Sequence, residues 1–339
     1  MLQENISLRP FNTFSVESAA RWFVQIHNES EARSIAQSDI IREYPCVVLG
    51  GGSNVLFVGD VNAVVVQNEC KGISVIDEDE MSVIVRFASG ENWHECVQWC
   101  VDRGYGGLEN LALIPGTIGA APIQNIGAYG VEVESVIECV HAVQLGTGEH
   151  LRFSRAECAF GYRDSIFKHE WKQRCIITAV DCRLAKAPQL NLSYGELLSE
   201  LESRGITSPG ILDVFRAVVD IRTRKLPSVN ILGNAGSFFK NPVVSKDHAE
   251  HIKKEYTAMP TFEQDGNVKI PAAWLIEQCG CKGLRKGDAG VYERHALVIV
   301  NHGTASGRDL LQLANEVRNR VRERFGIELE IEVRIIEIP

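Results

Sequence analysis

Two glycine-rich runs in this sequence have the composition of phosphate-binding loops. The first is Gly50-Gly51-Gly52-Ser53-Asn54, and the second is the uncharged stretch ALIPGTIGAAPIQNIGAYG at 112–130. Glycine tolerates positive φ and lets backbone N–H groups approach a ligand closely, and successive N–H groups can bind an anion without a cation. Either run alone is equally consistent with an ordinary turn.

A dinucleotide site of the Rossmann type is the obvious alternative for such runs, but it requires a helix that begins at the glycines. The first run continues as the β-rich segment NVLFVGDVNAVVVQ, and the second contains Pro115 and Pro122 and starts no convincing helix. The sequence therefore favours phosphate binding by loops. The neutrality of 112–130 fits packing against a large, partly apolar ligand, and it fits a buried crossover loop almost as well.

Two further side chains could take part in polar chemistry, each with a plain structural alternative. Ser237 in GNAGSFFKNP follows a predicted tight turn that could present its hydroxyl, but from the residues alone we favour a serine that only satisfies turn hydrogen bonds. Arg163 in GYRDS has the planar fork that binds carboxylates, and it could equally form a surface ion pair with Asp164.

The segment IELEIEVRII near the C-terminal end alternates strictly, which predicts a strand with one polar face. Glu328, Glu330, Glu332 and Arg334 would share that face. A carboxylate there could relay a proton if burial raised its pKa. The pattern alone favours four solvated charges.

The elements that must position these residues can be predicted from hydrophobic spacing and capping signals. A helix is expected at 30–38 with Ser30 as its cap, and the last helix, at 309–325, has a capping box of Ser306 and Asp309 before it and Gly326 after it. Further strands are expected at 46–50, 63–67, 82–87, 136–145, 175–184 and 295–301, and further helices at 92–104, 210–225 and 272–279.

Length and composition exclude several classes of protein. The 339 residues suggest two or three domains, and a net charge of −9 argues against nonspecific nucleic-acid binding. The sequence contains no run of roughly 20 apolar residues of the kind that spans a membrane, and its first residues lack a signal-peptide pattern. A cytoplasmic protein is therefore expected. The ten cysteines are expected to be core residues. Cys96 and Cys100 lie four apart with His94 nearby, but further ligands at matching spacing are absent, and we expect no metal site.

Six motifs in this sequence resemble the UDP-N-acetylenolpyruvoylglucosamine reductase (MurB) family, in the subtype that carries a mobile tyrosine loop. They occur in family order across nearly the whole chain: RPFNTF at 9–14, LGGGSNVLF at 49–57, GLENLALIPGTIGAAPIQNIGAYGVEV at 107–133, FGYRDSIFK at 160–168, GNAGSFFKNP at 233–242 and LEIEVR at 329–334.

The resemblance implies an α+β fold with a two-part FAD-binding region of the vanillyl-alcohol-oxidase (PCMH) type and a C-terminal α+β substrate domain. The implied boundaries are 1–70 and 71–226 for the two FAD-binding subdomains, the second joined by the terminal strand 327–339, and 227–326 for the substrate domain. It also implies noncovalent FAD, NADPH as hydride donor, a UDP-sugar enolpyruvyl ether as substrate in peptidoglycan precursor synthesis, and a monomer that contacts neither nucleic acid nor membrane.

The resemblance also assigns residue roles. Arg163 would bind the substrate carboxylate, Ser237 would donate the proton, and Glu332 would complete the catalytic set. Tyr162, Tyr194, Lys225, Asn241 and His295 would contact the UDP-sugar. The FAD contacts would be Gly50, Gly51, Gly52, Ser53, Asn54, Val55, Leu56, Ile114, Pro115, Gly116, Thr117, Gly119, Ala120, Asn125, Gly127, Ala128, Tyr129 and Arg334.

Two other functions remain open at this stage. One is an oxidase of small alcohols with the same fold and a FAD tethered through His or Cys. The other is a nucleotide-sugar binding protein that carries no flavin.

Overall fold

The computed structural model describes residues 1–339, which divide into two compact units. Unit 1 comprises Met1–Ile6, Ala20–Gly52 and Asn62–Arg224, and unit 2 comprises Ser7–Ala19, Ser53–Val61 and Lys225–Pro339. None of the helices combines the length and apolar character needed to cross a bilayer.

The longest strand, β4, contributes to both units. The first strands along the chain are β1 (Gln3–Ser7), β2 (Ala19–Ile26), β3 (Cys46–Leu49) and β4 (Val55–Asn68). In unit 1, β3 pairs in parallel with β4 from Cys46↔Val64 to Leu49↔Gln67, and this pairing places the first glycine run directly after a buried strand. The helices α1 (Glu29–Gln37) and α2 (Asp39–Glu43) connect β2 to β3.

A five-stranded antiparallel sheet forms the centre of unit 1, in the order β10-β9-β11-β6-β5. Its strands are β5 (Ile73–Glu78), β6 (Ser82–Ala88), β9 (Ile137–Gln144), β10 (His150–Ser154) and β11 (Cys175–Ala185). Three helices bury their apolar residues in the same core as one face of this sheet: α3 (Trp93–Val101), α4 (Gly195–Ser203) and α5 (Ile211–Lys225). The short strands β7 (Gly127–Ala128) and β8 (Val131–Glu132) form a separate hairpin. Eight of the ten cysteines are buried, as expected for core residues.

An ionic cluster with a buried carboxylate lies on the other face of this sheet. Asp181 on β11 accepts two hydrogen bonds from the Arg86 guanidinium, at 2.7 and 2.8 Å, and is 2.8 Å from His141 Nε2. Although burial acts in the opposite direction, these hydrogen bonds lower the pKa of Asp181 to about 2. Cys139, His141 and Asp181 are close enough together to ligate a metal, but the guanidinium already holds both oxygens of the carboxylate and lies 2.9 Å from His141 Nε2. Arg86 therefore supplies the cation of this cluster.

The ionic cluster predicts a pH-dependent contribution to stability. The folded pKa of Asp181 lies below its ordinary value, so its contribution is complete above about pH 4 and is lost as the pH falls towards about 2. We expect Asp181→Asn to lower the free energy of unfolding by about 2 kcal/mol at neutral pH and by roughly half as much near pH 3. Denaturant unfolding at both pH values measures this difference in the free energy of unfolding. Glu202→Gln, at an exposed position, is the control. A difference that does not change with pH would contradict the assignment.

Unit 2 contains two small antiparallel sheets and three helices. The first sheet has the order β12-β18-β17-β16, with β12 (Gly233–Ser237), β16 (Arg285–Lys286), β17 (Ala289–Val291) and β18 (Val298–Asn301). The second has the order β13-β15-β14, with β13 (Val243–Val244), β14 (Phe262–Gln264) and β15 (Asn267–Lys269). The helices are α6 (Lys246–Glu255), α7 (Ala272–Gln278) and α8 (Gly307–Phe325). The final strand, β19 (Arg334–Ile338), pairs in parallel with the first half of β4.

Helix α8 confirms the prediction made from its spacing. Its buried residues are Gly307, Leu310, Leu313, Ala314, Val317, Val321 and Phe325. Ser306 and Asp309 form the expected capping box, and Gly326 ends the helix with φ at 66°.

Several predicted element boundaries are wrong. Ser30 does not cap the first helix, because Asn28 accepts the N–H of Glu31 and the helix starts at Glu29. The strand expected at 295–301 begins only at Val298, because the backbone of His295 accepts the Val298 N–H in a turn.

The alternating terminal segment is a strand only in its last part. Burial does alternate at first, with Ile327 and Leu329 buried and Glu328 and Glu330 exposed. Ladder pairing with β4 begins only at Arg334, and Glu332 and Arg334 are half-buried. The four charged residues therefore do not share one solvated face.

Candidate functional site

The two glycine runs meet in unit 1. A Cβ atom added to Gly50 would lie 2.2 Å from Thr117 Oγ1, and one added to Gly51 would lie 3.1 Å from the Gly116 Cα. Backbones can approach this closely only where a side chain is missing. The runs therefore form one surface. We call this surface, Gly50–Gly52 together with 114–129, the glycine cradle.

Neighbouring elements fix each side of the glycine cradle. Gly50 follows β3, and its carbonyl accepts a hydrogen bond of 2.8 Å from Gln67 Nε2 on β4. On the other side, the Gly116 carbonyl accepts from the Trp93 N–H at 3.1 Å, and the Gly119 N–H donates to the Ser89 carbonyl at 2.8 Å. The second run then forms a 3-10 helix, Ile118–Gln124, rather than the α-helix that a Rossmann site requires.

The contact between Gly50 and Thr117 predicts that a methyl group added at position 50 destabilises the protein. We expect Gly50→Ala to lower the free energy of unfolding by about 1–3 kcal/mol, because the added carbon overlaps Thr117 Oγ1. Gly59→Ala is the matched control, since a Cβ there meets no atom within 4 Å. The double variant Gly50→Ala, Thr117→Ala should recover most of the loss. If Gly50→Ala is as stable as the control, the two runs do not touch.

Asn125 shapes the glycine cradle rather than presenting a free amide to a ligand. It has a left-handed backbone with φ at 44°, and its side chain is fully buried. Its Nδ2 donates to Glu132 and to the Gly161 carbonyl, and its Oδ1 accepts the Glu134 N–H. Its N–H and carbonyl bond to Ala121 and Arg163. Asn125 can therefore act on a ligand only through the loop geometry that it enforces.

Arg163 lies against the glycine cradle and not on the surface. Its guanidinium donates to the Asn125 carbonyl at 3.3 Å and to the Gly127 carbonyl at 2.7 Å, and 17% of its side chain is exposed. Asp164 instead pairs with His169 at 2.8 Å. The alternative of a surface ion pair between Arg163 and Asp164 is therefore wrong. Arg163 has a φ of 54°, a disfavoured backbone conformation that concentrates at functional sites.

Sequence reasoning missed Arg222 on α5. Its guanidinium donates to the Leu113 carbonyl at 3.3 Å and to the Tyr129 phenol, both of which are neutral. Burial lowers the pKa of Arg222 and raises that of Tyr129 to about 12. A half-buried guanidinium with neutral partners favours a negative ligand beside it. The only signal in the sequence was an arginine in an amphipathic helix, where solvent exposure is the ordinary expectation.

Tyr194 and Tyr162 are the two predicted substrate residues in unit 1. The Tyr194 ring meets the Tyr129 ring edge-on at 5.2 Å, and Tyr194 is 41% exposed at the start of α4. Tyr162 lies next to Arg163, whose guanidinium is 5.4 Å from its ring centre. Both tyrosines therefore lie at the rim of the glycine cradle.

Unit 2 brings together Asn54, Ser237, Glu332 and Arg334. The Glu332 N–H donates to the carbonyl of Phe238, the residue after Ser237, at 2.9 Å. The Asn54 side chain donates to the Glu332 carbonyl at 3.4 Å, and its own carbonyl accepts the Arg334 N–H at 3.0 Å. Three distant chain segments are thereby held side by side.

The strand that carries Ser237 is bulged. The register of β12 against β18 shifts between Asn234 and Ser237, and Gly236 has a φ of 68°. Asn234 Oδ1 accepts the Gly236 N–H at 2.9 Å and so fixes the bulge. The tight turn expected before Ser237 is wrong: Gly233–Ser237 is a strand, and the feature before Ser237 is a bulge within it.

The remaining predicted residues of unit 2 are placed as follows. Asn241 Oδ1 accepts the Ala272 N–H at the start of α7, at 2.9 Å, and His295 Nδ1 accepts the Leu297 N–H at 3.3 Å. Lys225 is the last residue of α5. Ser53 is half-buried, and the side chains of Val55 and Leu56 are buried in β4. In unit 1, Ile114, Gly116, Ala120 and Ala128 are half-buried and Pro115 is exposed.

Comparison with known proteins identifies the family. Residues 227–336 match the family model of the UDP-N-acetylenolpyruvoylglucosamine reductase C-terminal domain, and residues 20–154 match that of an FAD binding domain. A UDP-N-acetylenolpyruvoylglucosamine reductase from Pseudomonas syringae pv. syringae is 47% identical over 332 residues, which cover 98% of each chain. The chain belongs to the UDP-N-acetylenolpyruvoylglucosamine reductase family. A reductase of the same name from Flavobacterium johnsoniae is 45% identical over 99% of each chain.

A solved member of the reductase family has the same fold. The crystal structure of the enzyme from Thermus caldophilus superimposes with a TM-score of 0.71 at 25% identity, covering 99% of this chain and 100% of the other. The resemblance and the α+β fold class predicted from the sequence, with an FAD-binding region and a C-terminal domain, are confirmed.

Proposed function

We propose that this chain catalyses the NADPH-dependent, FAD-mediated reduction of UDP-N-acetylglucosamine enolpyruvate to UDP-N-acetylmuramate, a step of peptidoglycan precursor synthesis. The observation that carries the proposal is the similarity to reductases of that name, at 47% identity over 98% of the chain. In this account the chain is a flavin-dependent oxidoreductase that works in the cytoplasm as a monomer.

Three observations support FAD binding at the glycine cradle. The Gly51 and Gly116 backbones approach too closely for a side chain to lie between them. The Oε1 atom of Gln67, whose Nε2 bonds to Gly50, is buried without a hydrogen-bond partner. The stretch 112–130 has no charged side chain of its own, while the half-buried Arg222 bonds to Leu113 and Tyr129 within it. These features suit a ligand held by main-chain donors.

Bound FAD would supply hydride transfer from NADPH to the enolpyruvyl double bond. We assign the FAD contacts to Gly50–Leu56, 114–129 and Arg334. The chain must supply an anion clamp, stabilisation for the negative charge that develops on the substrate, and a proton.

Arg163 is the proposed clamp for the substrate carboxylate. Two of its N–H groups are fixed on the carbonyls of Asn125 and Gly127, which holds the planar guanidinium in one orientation. A guanidinium that is already oriented stabilises a developing carboxylate charge without reorganising during the reaction.

Ser237 is the proposed proton donor, and Glu332 is the proposed third catalytic residue. The bulge at Gly236 fixes the backbone that presents the Ser237 hydroxyl. The hydrogen bond between the Glu332 N–H and the Phe238 carbonyl keeps the two residues on neighbouring segments. A half-buried carboxylate in this position can polarise the forming enol or relay a proton.

The UDP-sugar is assigned to Tyr162, Tyr194, Lys225, Asn241 and His295. The ammonium group of Lys225 is a compact positive charge that can pair with the diphosphate of the substrate. Tyr194 is exposed at the start of α4 and can cover a nucleotide. The division into FAD subdomains at 1–70 and 71–226 and a substrate domain at 227–326 belongs to the same proposal.

Product analysis tests the proposed function. The purified chain is incubated with NADPH and UDP-N-acetylglucosamine enolpyruvate, and the sugar nucleotide is followed by mass spectrometry. The substrate should gain the mass of two hydrogen atoms for each NADPH consumed, and the enolpyruvate-free UDP-N-acetylglucosamine should remain unchanged. NADPH consumption without this mass change would contradict the proposal.

A further inference from the structure

Near the start of the second glycine run lies a strained residue, Leu113, which bonds to side chains from two helices. Its φ of 58° lies in the left-handed region, which a residue with a Cβ atom rarely adopts. The Leu113 N–H donates to His94 Nδ1 on α3 at 3.1 Å. The Leu113 carbonyl accepts from Arg222 Nε on α5 at 3.3 Å. Both polar groups of this residue are therefore fixed by side chains rather than by backbone.

The His94 ring has one orientation and one usable protonation state. It stacks on Phe215 of α5 with ring centres 5.5 Å apart and planes 4° from parallel. Because Nδ1 accepts a hydrogen bond, this nitrogen must carry a lone pair, and the proton of the neutral ring lies on Nε2. A protonated imidazole has no acceptor and would lose the bond to Leu113.

We propose that His94 is a positioning residue for the cofactor: its neutral ring holds Leu113 in the left-handed bend and so places residues 114–129 for FAD. This inference rests on the proposed FAD site in unit 1. Nothing in the spacing of His94 relative to Cys96 and Cys100 indicated this role. His94 acts through Leu113 and is not assigned a direct contact with flavin or substrate.

The proposal predicts that acid weakens FAD binding through His94. The charged groups that act on its pKa are Glu95 from its own helix and Arg222 from α5. Burial lowers the pKa of His94, the Arg222 charge lowers it further, and Glu95 opposes them. Because only the neutral ring accepts the Leu113 N–H, the deprotonated form has the advantage in FAD binding. That advantage is lost as the pH falls below the ordinary value of about 6.5.

Two substitutions separate the hydrogen bond from the ring stacking. His94→Phe keeps an aromatic ring on Phe215 but has no acceptor. His94→Asn places an amide oxygen near the position of Nδ1 and does not titrate. Unfolding by denaturant shows whether each variant is folded, and the FAD dissociation constant is measured by flavin fluorescence between about pH 5.5 and 8. Exchange of the Leu113 amide hydrogen is measured in the FAD-free protein.

We expect His94→Phe to weaken FAD binding about tenfold near pH 8, because the Leu113 N–H loses its partner, and to speed exchange of the Leu113 amide. His94→Asn should bind FAD within about threefold of the wild type and should lack the additional weakening that the wild type shows in acid.

The inference is overturned if His94→Phe binds FAD as the wild type does. It is also overturned if the wild type and His94→Asn have the same pH profile, a comparison that holds even if His94→Phe does not fold. A wild-type chain that takes up no FAD at any pH would instead reject the proposed cofactor site itself, and the positioning role with it.

Discussion

Ser237→Ala is expected to leave the first half of the catalytic cycle intact and to slow the second by about 10²–10⁴-fold. In stopped-flow experiments, NADPH should bleach the flavin absorbance of the variant at near the wild-type rate. Return of the absorbance on addition of the enolpyruvyl substrate should be slow, because the Ser237 hydroxyl is the assigned source of the proton. The substitution removes one oxygen atom from a backbone bulge that Gly236 and Asn234 maintain without it.

The matched control for this experiment is Ser203→Ala, which removes an exposed hydroxyl that bonds only to the Glu200 carbonyl on α4. Both half-reactions should be unchanged in that variant. If Ser237→Ala also returns its absorbance at the wild-type rate, another group donates the proton. If both half-reactions slow equally, Ser237 acts on cofactor placement instead.

Arg163→Lys is expected to slow the substrate half-reaction by about 10²–10³-fold although the charge is kept. An ammonium group has neither the planar fork for a bidentate carboxylate nor the reach to hold the carbonyls of Asn125 and Gly127 at the same time. The same stopped-flow comparison measures this rate. FAD affinity, measured separately, should fall by less than about tenfold, because the only cradle contacts that change are the hydrogen bonds from Arg163 to the carbonyls of Asn125 and Gly127.

Arg183→Lys is the matched control for this second substitution. Arg183 is exposed and pairs with Glu138 at 3.0 Å on the central sheet of unit 1. The control should show wild-type rates in both half-reactions. An Arg163→Lys variant that reduces the substrate at the wild-type rate would show that the bidentate fork has no part in catalysis.

Local features of the site could be predicted from the sequence because they depend on short-range chemistry. The strand that precedes Gly50 and the capping box of α8 each follow from residues a few positions apart. The absence of an α-helix after either glycine run was equally visible from Pro115, Pro122 and the β-rich continuation. This was enough to favour loops over a Rossmann site.

Contacts between distant segments could not be predicted in this way. Gly50 and Thr117 touch across more than 60 residues of sequence, and no local pattern specifies that pairing. For the same reason, the roles of His94 and Arg222 were missed. Both lie on amphipathic helices, where a polar residue is ordinarily assigned to solvent, and their common partner Leu113 lies on a loop.

The terminal segment was predicted wrongly because its side chains alternate in burial from Ile327, whereas its backbone pairs with β4 only from Arg334. Alternation at Ile327 and Leu329 predicted a continuous strand, but the backbone N–H of Glu332 bonds to Phe238 instead of extending the ladder of β4. As a result, Glu332 is half-buried beside the Ser237 segment, while Glu328 and Glu330 are exposed and pair with basic side chains.

The most direct test of the central claim is an FAD titration of the purified chain after any bound flavin has been removed. Absorbance and flavin fluorescence should show saturable binding of one FAD per chain, and denaturation should release the flavin intact, because backbone groups of the glycine cradle hold it without a covalent bond. A chain that remains colourless at saturating FAD, or flavin that stays attached after denaturation, would contradict the account.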